Sequence, residues 1–370
     1  DGSITTAKLA DDAVTVAKVG AGAIDATALA SNAVTTAKVA DGAVTQVKTT
    51  GVAGRVGRNM IINGAMKIDQ RNNGSSINLG NGKFYSVDRF FWIENSSETP
   101  TGQQVTDAPV GFTHSNKITN TSTTTTPTYT QLNQPIEGNN VSQLYFGNSS
   151  AKSVTLSFYV KSSLTGQFSA ALRNGADNRS NVSTYTINSA NTWERKNITF
   201  AGDTSGTWAT NNTIGLNVIF RLDDSSGTST LNQWTASGSA FASGGVRFMG
   251  NASATWQITG VQLEEGSQMT DFEHEDIGET LRKCQRYYVR AGGTNYASVF
   301  GTAGIANTTG SWFGFGHLPV PMRAGFSLVQ SGGTPRIQNG QAGYNASSVS
   351  AGLSNANHNG ISMGCNASGL

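Results

Sequence analysis

Val154-Thr-Leu-Ser-Phe-Tyr-Val160 decides the fold class, together with Ile214-Gly-Leu-Asn-Val-Ile-Phe-Arg-Leu222. Apolar residues occupy every second position of both segments, and successive side chains of a strand point to opposite faces. The apolar face consists of Val154, Leu156, Phe158 and Val160 in the first segment, and of Ile214, Leu216, Val218, Phe220 and Leu222 in the second. We therefore expect two half-buried strands of an antiparallel β-sandwich.

The composition of the chain also indicates β structure that is rich in turns. Its 370 residues include 44 glycines, and only 13% of them are charged, against about 25% in ordinary globular domains. Trp256-Gln-Ile258 and Val261-Gln-Leu263 alternate on either side of Gly260, where the change of face predicts a bulge. Trp92 and Trp256 lie among alternating apolar residues and are predicted to be core residues.

The segment after the predicted sandwich contains a helix pattern. Within residues 278–290, Leu281, Cys284, Gln285 and Tyr288 have the spacing of one helical face. Residues 291–370 are glycine-rich with short apolar pieces, and they predict a second, smaller β unit. The head is thus expected to comprise a sandwich at residues 58–276, and a short helix with a C-terminal β unit at residues 277–370.

The first fifty residues are five copies of a ten-residue unit, such as DDAVTVAKVG and SNAVTTAKVA. Each copy carries apolar side chains that cannot be buried by so short a unit alone, so parallel copies of the chain must cover them. We expect residues 1–52 to form a trimeric shaft whose core is Ile4, Leu9, Val14, Val19, Ile24, Leu29, Val34, Val39 and Val44. A disordered linker of low complexity is the alternative, and a collagen-like shaft is excluded because glycine does not recur at every third position.

The charge and cysteine content exclude several classes of protein. The net charge is +2 and the basic residues are dispersed, so neither nucleic acid nor an anionic membrane is an expected partner. No apolar stretch approaches the ~20 residues of a membrane span, so no membrane insertion is expected. Cys284 and Cys365 are the two cysteines, and two free thiols are favoured over a bridge.

Motifs for catalysis and metal binding are missing from the sequence. His274 lies in an acidic run, which is interpreted as a solvated stretch before the helix rather than a metal site. Glu264 and Glu265 are adjacent on a predicted strand and point to opposite faces, so they do not form the carboxylate pair of a glycosidase. We expect no enzymatic activity, no cofactor and no bound metal.

Exposed aromatic residues are the better candidates for function, because sugar rings stack their apolar faces on aromatic side chains. The candidate ligand-binding residues lie among Asn, Thr and Ser, and they are Trp193, Trp208, Trp234, Trp312 and Tyr296, with Tyr129, Tyr185 and Tyr344 in similar surroundings. The alternative interpretation of each is that it caps a hydrophobic layer.

Three stretches resemble tailed-bacteriophage fibre proteins. They are Asn59-Met-Ile-Ile-Asn-Gly-Ala-Met-Lys-Ile-Asp-Gln-Arg71 with Asp88-Arg-Phe-Phe-Trp92, then Trp256-Gln-Ile-Thr-Gly-Val-Gln-Leu-Glu-Glu-Gly266 running into Thr270-Asp-Phe-Glu273, and finally Leu281-Arg-Lys-Cys-Gln-Arg-Tyr-Tyr288 with Val320-Pro-Met-Arg323. The repeat resembles the shafts of such fibres. The first two stretches also resemble the opening and closing strands of jelly-roll carbohydrate-binding modules.

This resemblance implies a homotrimeric fibre of a phage tail, extracellular, with a jelly-roll head that binds the host surface. The expected partners are other tail or baseplate proteins of the virion, and a host polysaccharide or lipopolysaccharide. The resemblance places no ligand-binding residue on this sequence. Our hypothesis is a structural fibre that mediates adsorption by binding surface glycans. The alternatives are a polysaccharide depolymerase, and a purely structural fibre or capsid-decorating protein without a ligand.

Overall fold

The computed structural model of the protein describes residues 57–80, 82–94, 100–123, 130–223, 229–290, 304–308, 311–324, 336–339, 342–353 and 360–367. After residue 290, side chains are described only for residues 318–324. The predicted shaft at residues 1–52, with every residue of its trimer core, lies outside the described residues. The shaft, the trimer and the predicted domain boundaries therefore stay predictions.

Thirteen described strands precede the helix. In chain order they are β1 (Ile77–Asn78), β2 (Gly82–Val87), β3 (Phe90–Glu94), β4 (Thr101–Val105), β5 (Ser115–Thr119), β6 (Thr130–Glu137), β7 (Val154–Ser162), β8 (Gly166–Asn174), β9 (Ser180–Ile187), β10 (Glu194–Phe200), β11 (Ile214–Arg221), β12 (Trp234–Thr235) and β13 (Thr255–Glu265). Two short 3-10 turns, Gly138–Asn140 and Ser142–Leu144, follow β6.

These strands form two antiparallel sheets that pack face to face. The six-stranded sheet has the order β1-β4-β5-β13-β7-β10, and the seven-stranded sheet has the order β12-β9-β8-β11-β6-β3-β2. Phe158 of β7 packs between the sheets, with its ring centroid 5.0 Å from those of Tyr185 on β9 and Phe220 on β11. The predicted β-sandwich is confirmed, and Trp92 and Trp256 are fully buried core residues as expected.

The alternation in β7 and β11 has the predicted effect on the inner face. All four apolar residues of the first segment are fully buried, and so are Leu216, Val218, Phe220 and Leu222, whereas Ile214 is exposed. The prediction of a half-buried strand is wrong for β11, which is buried on both faces after its first residue. Its outer residue Ile219 packs in a second small core with Ala171, Val182, Ala240 and Ala242.

The predicted bulge at Gly260 is present. The register between β13 and β7 shifts between Thr259 and Gln262, and Gly260 has a φ of +60°. A Cβ at this position would lie 2.7 Å from the ring of Phe112, so both the backbone angle and the contact require glycine.

One α-helix is present among the described residues, α1 at Ile277–Gln285. It begins at the N-cap Asp276, whose carboxylate accepts hydrogen bonds from the backbone N–H groups of Gly278 and Glu279. The prediction extended the helix to residue 290, but the structure ends it at Gln285. Residues 286–290 instead leave the helix. The side chains of Arg286 and Tyr287 bond to Glu137 on β6, and that of Arg290 donates to the carbonyls of Gln70 and Arg71.

A third sheet follows the helix. Its strands are β14 (Gly304–Thr308), β15 (Ser311–His317), β16 (Arg336–Asn339), β17 (Ala342–Leu353) and β18 (Gly360–Ala367), in the order β14-β15-β18-β17-β16. All its pairings are antiparallel. The expected β structure in the C-terminal region is therefore present.

The motifs that suggested the phage-fibre resemblance meet at a seam beside β13. The Asn59 side chain accepts hydrogen bonds from the backbone N–H groups of Ile61 and Leu263 and donates one to the carbonyl of Val261. The backbone N–H of Val261 donates to the carbonyl of Gly64 over 3.0 Å. A Cβ atom at Gly64 would lie 2.1 Å from the carbonyl oxygen of Val261, so only glycine fits at this position.

The residues after α1 attach the helix to the seven-stranded sheet. Arg286 donates two hydrogen bonds of 2.8 and 2.9 Å to the carboxylate of Glu137, which also accepts one from the hydroxyl of Tyr287. The Arg89 guanidinium lies 3.4 Å from the centroid of the Tyr287 ring. These motifs hold the parts of the head together, which explains their residue types without any ligand.

Candidate functional site

The structure separates the predicted aromatic ligand-binding residues into two groups. Trp208 and Trp234 lie together, the first between β10 and β11 and the second at the start of β12, whereas Trp193 lies apart, just before β10. Trp312 is on β15 and Tyr344 is on β17, two strands whose side chains are not described, whereas Tyr129 and Tyr296 lie outside the described residues. Tyr185 is a correction: it is buried, because its ring packs between Phe158 and Phe168 in the core.

Trp208 and Trp234 form an aromatic corner with Phe146. The ring centroids are 4.8 Å apart for Phe146 and Trp208, 5.5 Å for Phe146 and Trp234, and 5.3 Å for the two indoles, all with edge-to-face geometry. The three residues are half-buried and pack against the main core. The face or the edge of each ring is therefore already packed against another ring of the protein.

The polar groups around the aromatic corner are also satisfied within the protein. The indole N–H of Trp208 donates to the carbonyl of Ser205 over 3.2 Å, and that of Trp234 donates to the carbonyl of Ala201 over 2.6 Å. Nearby, the Arg179 guanidinium forms two hydrogen bonds with the buried carboxylate of Asp203. This geometry fits a cap over the hydrophobic core better than a surface that reads the hydroxyl groups of a ligand.

Trp193 has different surroundings. Its indole N–H donates over 3.2 Å to the carboxylate of Asp107, and the ammonium group of Lys161 lies 5.4 Å from the centroid of its ring. Lys161 also forms an ion pair with Asp107, whose side chain is 48% exposed. A half-buried aromatic ring, a carboxylate that remains accessible and an ammonium group therefore lie together on the surface of the six-stranded sheet.

A second aromatic residue with a cation lies next to this group on the same face. Arg195 lies on β10, two positions after Trp193, and its direct partner on β7 is Tyr159. Tyr159 in turn lies two positions before Lys161 on the same strand. The Arg195 guanidinium carbon is 5.8 Å from the centroid of the Tyr159 ring. Two residues along a strand span about 7 Å. We call these five residues, Asp107, Tyr159, Lys161, Trp193 and Arg195, the Trp193 surface.

The local fold fixes the position of Trp193. The turn between β9 and β10 is closed by Glu194, whose carboxylate accepts hydrogen bonds from the backbone N–H groups of Asn188 and Ser189, both over 2.8 Å. Asn191 has a φ of +55°, a left-handed angle that asparagine tolerates in turns. Trp193 is thus presented by a hydrogen-bonded connection that passes from the seven-stranded sheet to the six-stranded sheet.

The electrostatics keep Asp107 ionised. Burial opposes ionisation, but hydrogen bonds from Lys161, Trp193 and Gln257 outweigh it and hold the pKa of Asp107 below its ordinary value. The carboxylate is consequently a charged acceptor at neutral pH, and its partners leave part of it open to solvent.

Asp107, Tyr159, Lys161 and Arg195 were not among the predicted site residues. The alternation of β7 does place Tyr159 and Lys161 opposite its apolar face, so their exposure could have been predicted. Asp107 is 54 residues from Lys161 and 86 residues from Trp193 in the chain, and no local pattern indicates that they meet.

The described part of the chain contains neither a metal-binding cluster nor a helix that could span a membrane. No group of three or more His, Cys, Asp and Glu side chains there could hold a metal ion. None of the described helices has the length and apolar character that crossing a membrane requires. Glu264 is buried and Glu265 is exposed, so the two carboxylates do not share a surface.

No protein-family model matches the chain, and no curated protein matches it. Among solved structures, it is similar to the enzymatically active domain of tailspike protein 4 from bacteriophage CBA120, with 12% identity and a TM-score of 0.32 over 56% of this chain. The match covers 22% of the tailspike chain, so this protein spans less than a quarter of that length.

The chain is also similar to carbohydrate-binding modules. For the family 11 module of the cellulase Lic26A-Cel5E from Clostridium thermocellum, the identity is 15% and the TM-score 0.28, over 51% of this chain and 98% of the module. For the CBM22-1–GH10 modules of xylanase 10B from the same organism, the identity is 10% and the TM-score 0.28, over 53% of this chain and 30% of the xylanase chain. These similarities concern the β-sandwich and assign no role to any residue.

Proposed function

We propose that the head binds a glycan at the Trp193 surface, and that the chain is a structural fibre of a bacteriophage virion that attaches the particle to its host. One observation carries the glycan proposal. Trp193 lies beside an accessible carboxylate and an ammonium group, so an apolar ring and polar partners of both kinds face the same site.

This combination matches the chemistry of a sugar residue. A sugar ring has apolar C–H faces that pack on an aromatic side chain, and its hydroxyl groups both donate and accept hydrogen bonds. Asp107 supplies the acceptor and Lys161 the donor beside Trp193, and Arg195 supplies a donor beside Tyr159. The two aromatic residues are about 7 Å apart along the sheet, so the site fits a chain of at least two sugar residues.

The fibre part of the proposal is supported by the repeat. Each ten-residue copy carries an apolar stripe that a single chain would leave in water, and three parallel chains would bury it. The resemblance of the repeat and of the head motifs to phage fibres points in the same direction. Three heads on one fibre would multiply the avidity of weak single sites.

The test is binding of the full chain to a printed array of bacterial capsular polysaccharides and lipopolysaccharides. We expect wild-type binding to at least one glycan, and a loss of about ten-fold or more, equivalent to about 1.4 kcal/mol, for Trp193→Ala and for Asp107→Ala. Tyr145→Ala is the matched control, because Tyr145 is a 54% exposed aromatic residue whose ring centroid lies 5.2 Å from the ammonium group of Lys152. Lys152 in turn forms an ion pair with Glu265, as Lys161 does with Asp107.

The outcomes separate this proposal from its alternatives. Binding that is insensitive to Trp193→Ala but lost in Tyr145→Ala would place the site elsewhere. Release of reducing ends from the bound polysaccharide would indicate a depolymerase instead of an adhesin. A protein that binds no glycan on the array and whose absence leaves phage adsorption unchanged would be a purely structural component.

A further inference from the structure

The Trp193 surface continues across the six-stranded sheet as a row of direct cross-strand partners. Lys161 on β7 pairs with Gln257 on β13, and Gln257 in turn pairs with Lys117 on β5. Residues that lie directly opposite each other on antiparallel strands place their side chains on the same face of the sheet. The next residues along two of these strands, Ile118 and Ile258, are buried in the core. The row therefore lies on the outer face of the sheet, as the Trp193 surface does.

The length of this row follows from the spacing of the strands. Neighbouring strands of a sheet are ~4.8 Å apart, so the backbones of Lys117 and Lys161 are separated by about 10 Å across β13. Trp193 lies beside Lys161 and just before β10, which is the next strand of the sheet. It extends the row to about 14 Å. A short glycan chain that crosses the strands would span this distance, with Trp193 and Lys117 at its two ends.

Gln257 fixes the middle of the row. It is only 4% exposed, and its side chain accepts a hydrogen bond of 3.2 Å from the hydroxyl of Ser115. It also hydrogen-bonds to the carboxylate of Asp107. The Ser115 hydroxyl lies 2.6 Å from the backbone carbonyl oxygen of Asp107. These contacts hold the connection that carries Asp107 against the sheet, so the position of its carboxylate relative to the row is set by buried groups.

The charges along the row are not balanced. Lys161 forms an ion pair with Asp107, and Arg195 forms one with Asp271 over 3.5 Å. Lys117 is half-buried, but its ammonium group has neither a hydrogen bond nor an ion pair with any residue that the structure describes. The surface thus has one positive charge in excess, and this charge lies at the end of the row formed by Lys117.

We propose that the glycan bound at the Trp193 surface is acidic, and that Lys117 binds one of its carboxylate or phosphate groups. The inference rests on the proposed glycan binding at Trp193. A hydrogen bond from an ammonium group to an anion is about twice as strong as one between neutral groups, so Lys117 favours an acidic ligand over a neutral one. A sugar ring on Trp193 and an anionic group about 14 Å away define a ligand of several sugar residues that carries negative charge along its chain.

The experiment measures binding of the full chain to the acidic polysaccharides of the array in two forms. One form is native, and in the other the carboxyl groups are reduced to alcohols or the phosphate groups are removed. Lys117→Gln removes the charge of the side chain, whereas Lys117→Arg keeps it. Lys83→Gln is the matched control, because Lys83 is an exposed lysine on β2 of the other sheet and also lacks an ion pair among the described residues. Urea denaturation of each variant checks that the head stays folded.

We expect the wild type to bind the neutralised form about three- to five-fold more weakly than the native form. Lys117→Gln should weaken binding to the native form by the same factor, reduce its dependence on salt, and leave binding to the neutralised form unchanged. Lys117→Arg and Lys83→Gln should bind like the wild type. The wild-type comparison of the two forms tests the charge of the ligand independently of any variant.

Two failures can be told apart. Binding that is lost in Trp193→Ala but is equal for the native and neutralised forms, or is unchanged in Lys117→Gln, would overturn the acidic ligand and leave the glycan site standing. A chain that binds no glycan, or whose binding does not respond to Trp193→Ala, would overturn the proposed site and the acidic ligand with it.

Discussion

Replacing Arg286 by alanine would test whether the segment after α1 is a structural attachment. In the folded head, the Glu137 side chain is only 4% exposed and accepts two hydrogen bonds from Arg286 and one from Tyr287. The variant leaves this carboxylate with the Tyr287 hydroxyl as its described partner. A buried charge that loses its counter-ion is costly, because burial removes the water that would otherwise solvate it.

The size of the effect follows from the burial of the pair. Removal of one member of a fully buried ion pair costs about 3–5 kcal/mol. Arg286 is 35% exposed, so water can partly replace it, and we expect a loss of about 2–4 kcal/mol in the free energy of unfolding. Arg282→Ala is the control, since Arg282 forms a pair with Glu279 in which both side chains are exposed, worth about 0.5 kcal/mol or less.

The effect of Arg286→Ala should also depend on pH. Burial opposes ionisation of Glu137, but hydrogen bonds from Arg286 and Tyr287 outweigh it and hold the pKa of Glu137 below its ordinary value. A carboxyl group with a lowered pKa in the folded state stabilises the fold above its unfolded pKa of about 4.3. That stabilisation is lost as the pH falls through the folded pKa.

Urea denaturation at pH 7 and at successively lower pH measures both quantities. The difference between wild type and Arg286→Ala should be largest at pH 7 and should shrink below about pH 4. An equal loss of stability in Arg286→Ala and Arg282→Ala, or a difference that does not change with pH, would refute the reasoning about the pair of Arg286 and Glu137.

Three further predictions concern the seam and the two aromatic groups. Gly64→Ala should lower the free energy of unfolding by more than about 2 kcal/mol in urea denaturation, because its Cβ would collide with the Val261 carbonyl, whereas Gly250→Ala, with its nearest neighbours at 3.4 Å, should be nearly neutral. Trp208→Ala should lower the free energy of unfolding by about 2–3 kcal/mol in urea denaturation, because it removes one ring of the aromatic corner. Trp193→Ala should change it by less than about 0.5 kcal/mol. Equal losses would contradict the division into a structural corner and a binding surface. Glycan binding should stay constant from pH 7 down to about pH 4 and weaken at lower pH, because the lowered pKa of Asp107 keeps its carboxylate charged. A loss of binding that begins near pH 6 would exclude this role for the carboxylate.

The inner faces of the sandwich could be predicted from the sequence because they depend on local alternation. Val154 to Val160 and Leu216 to Leu222 are buried as their period of two requires. The burial of Ile219 on the outer face of β11 could not be predicted in this way. It depends on Ala240 and Ala242, which come from a segment beyond the next strand and have no pattern of their own.

The candidate site was predictable only in part for the same reason. Trp193 was identified as an aromatic residue among polar ones, and Lys161 follows from the alternation of β7. Asp107 lies in the connection between β4 and β5. Only the packing of this connection on the sheet brings Asp107 into contact with Lys161 and Trp193. The sequence also does not distinguish Trp193 from Trp208 and Trp234, because their difference lies in edge-to-face contacts made between distant segments.

The most direct test of glycan binding at the Trp193 surface is an NMR titration of the full chain with an oligosaccharide from the polysaccharide that binds on the array. The six tryptophans each contribute one indole N–H signal, and Trp193→Phe identifies the one from Trp193. We predict that the Trp193 signal shifts on titration, while the signals of Trp208 and Trp234 stay in place. A Trp193 signal that does not move while the oligosaccharide binds would contradict this account.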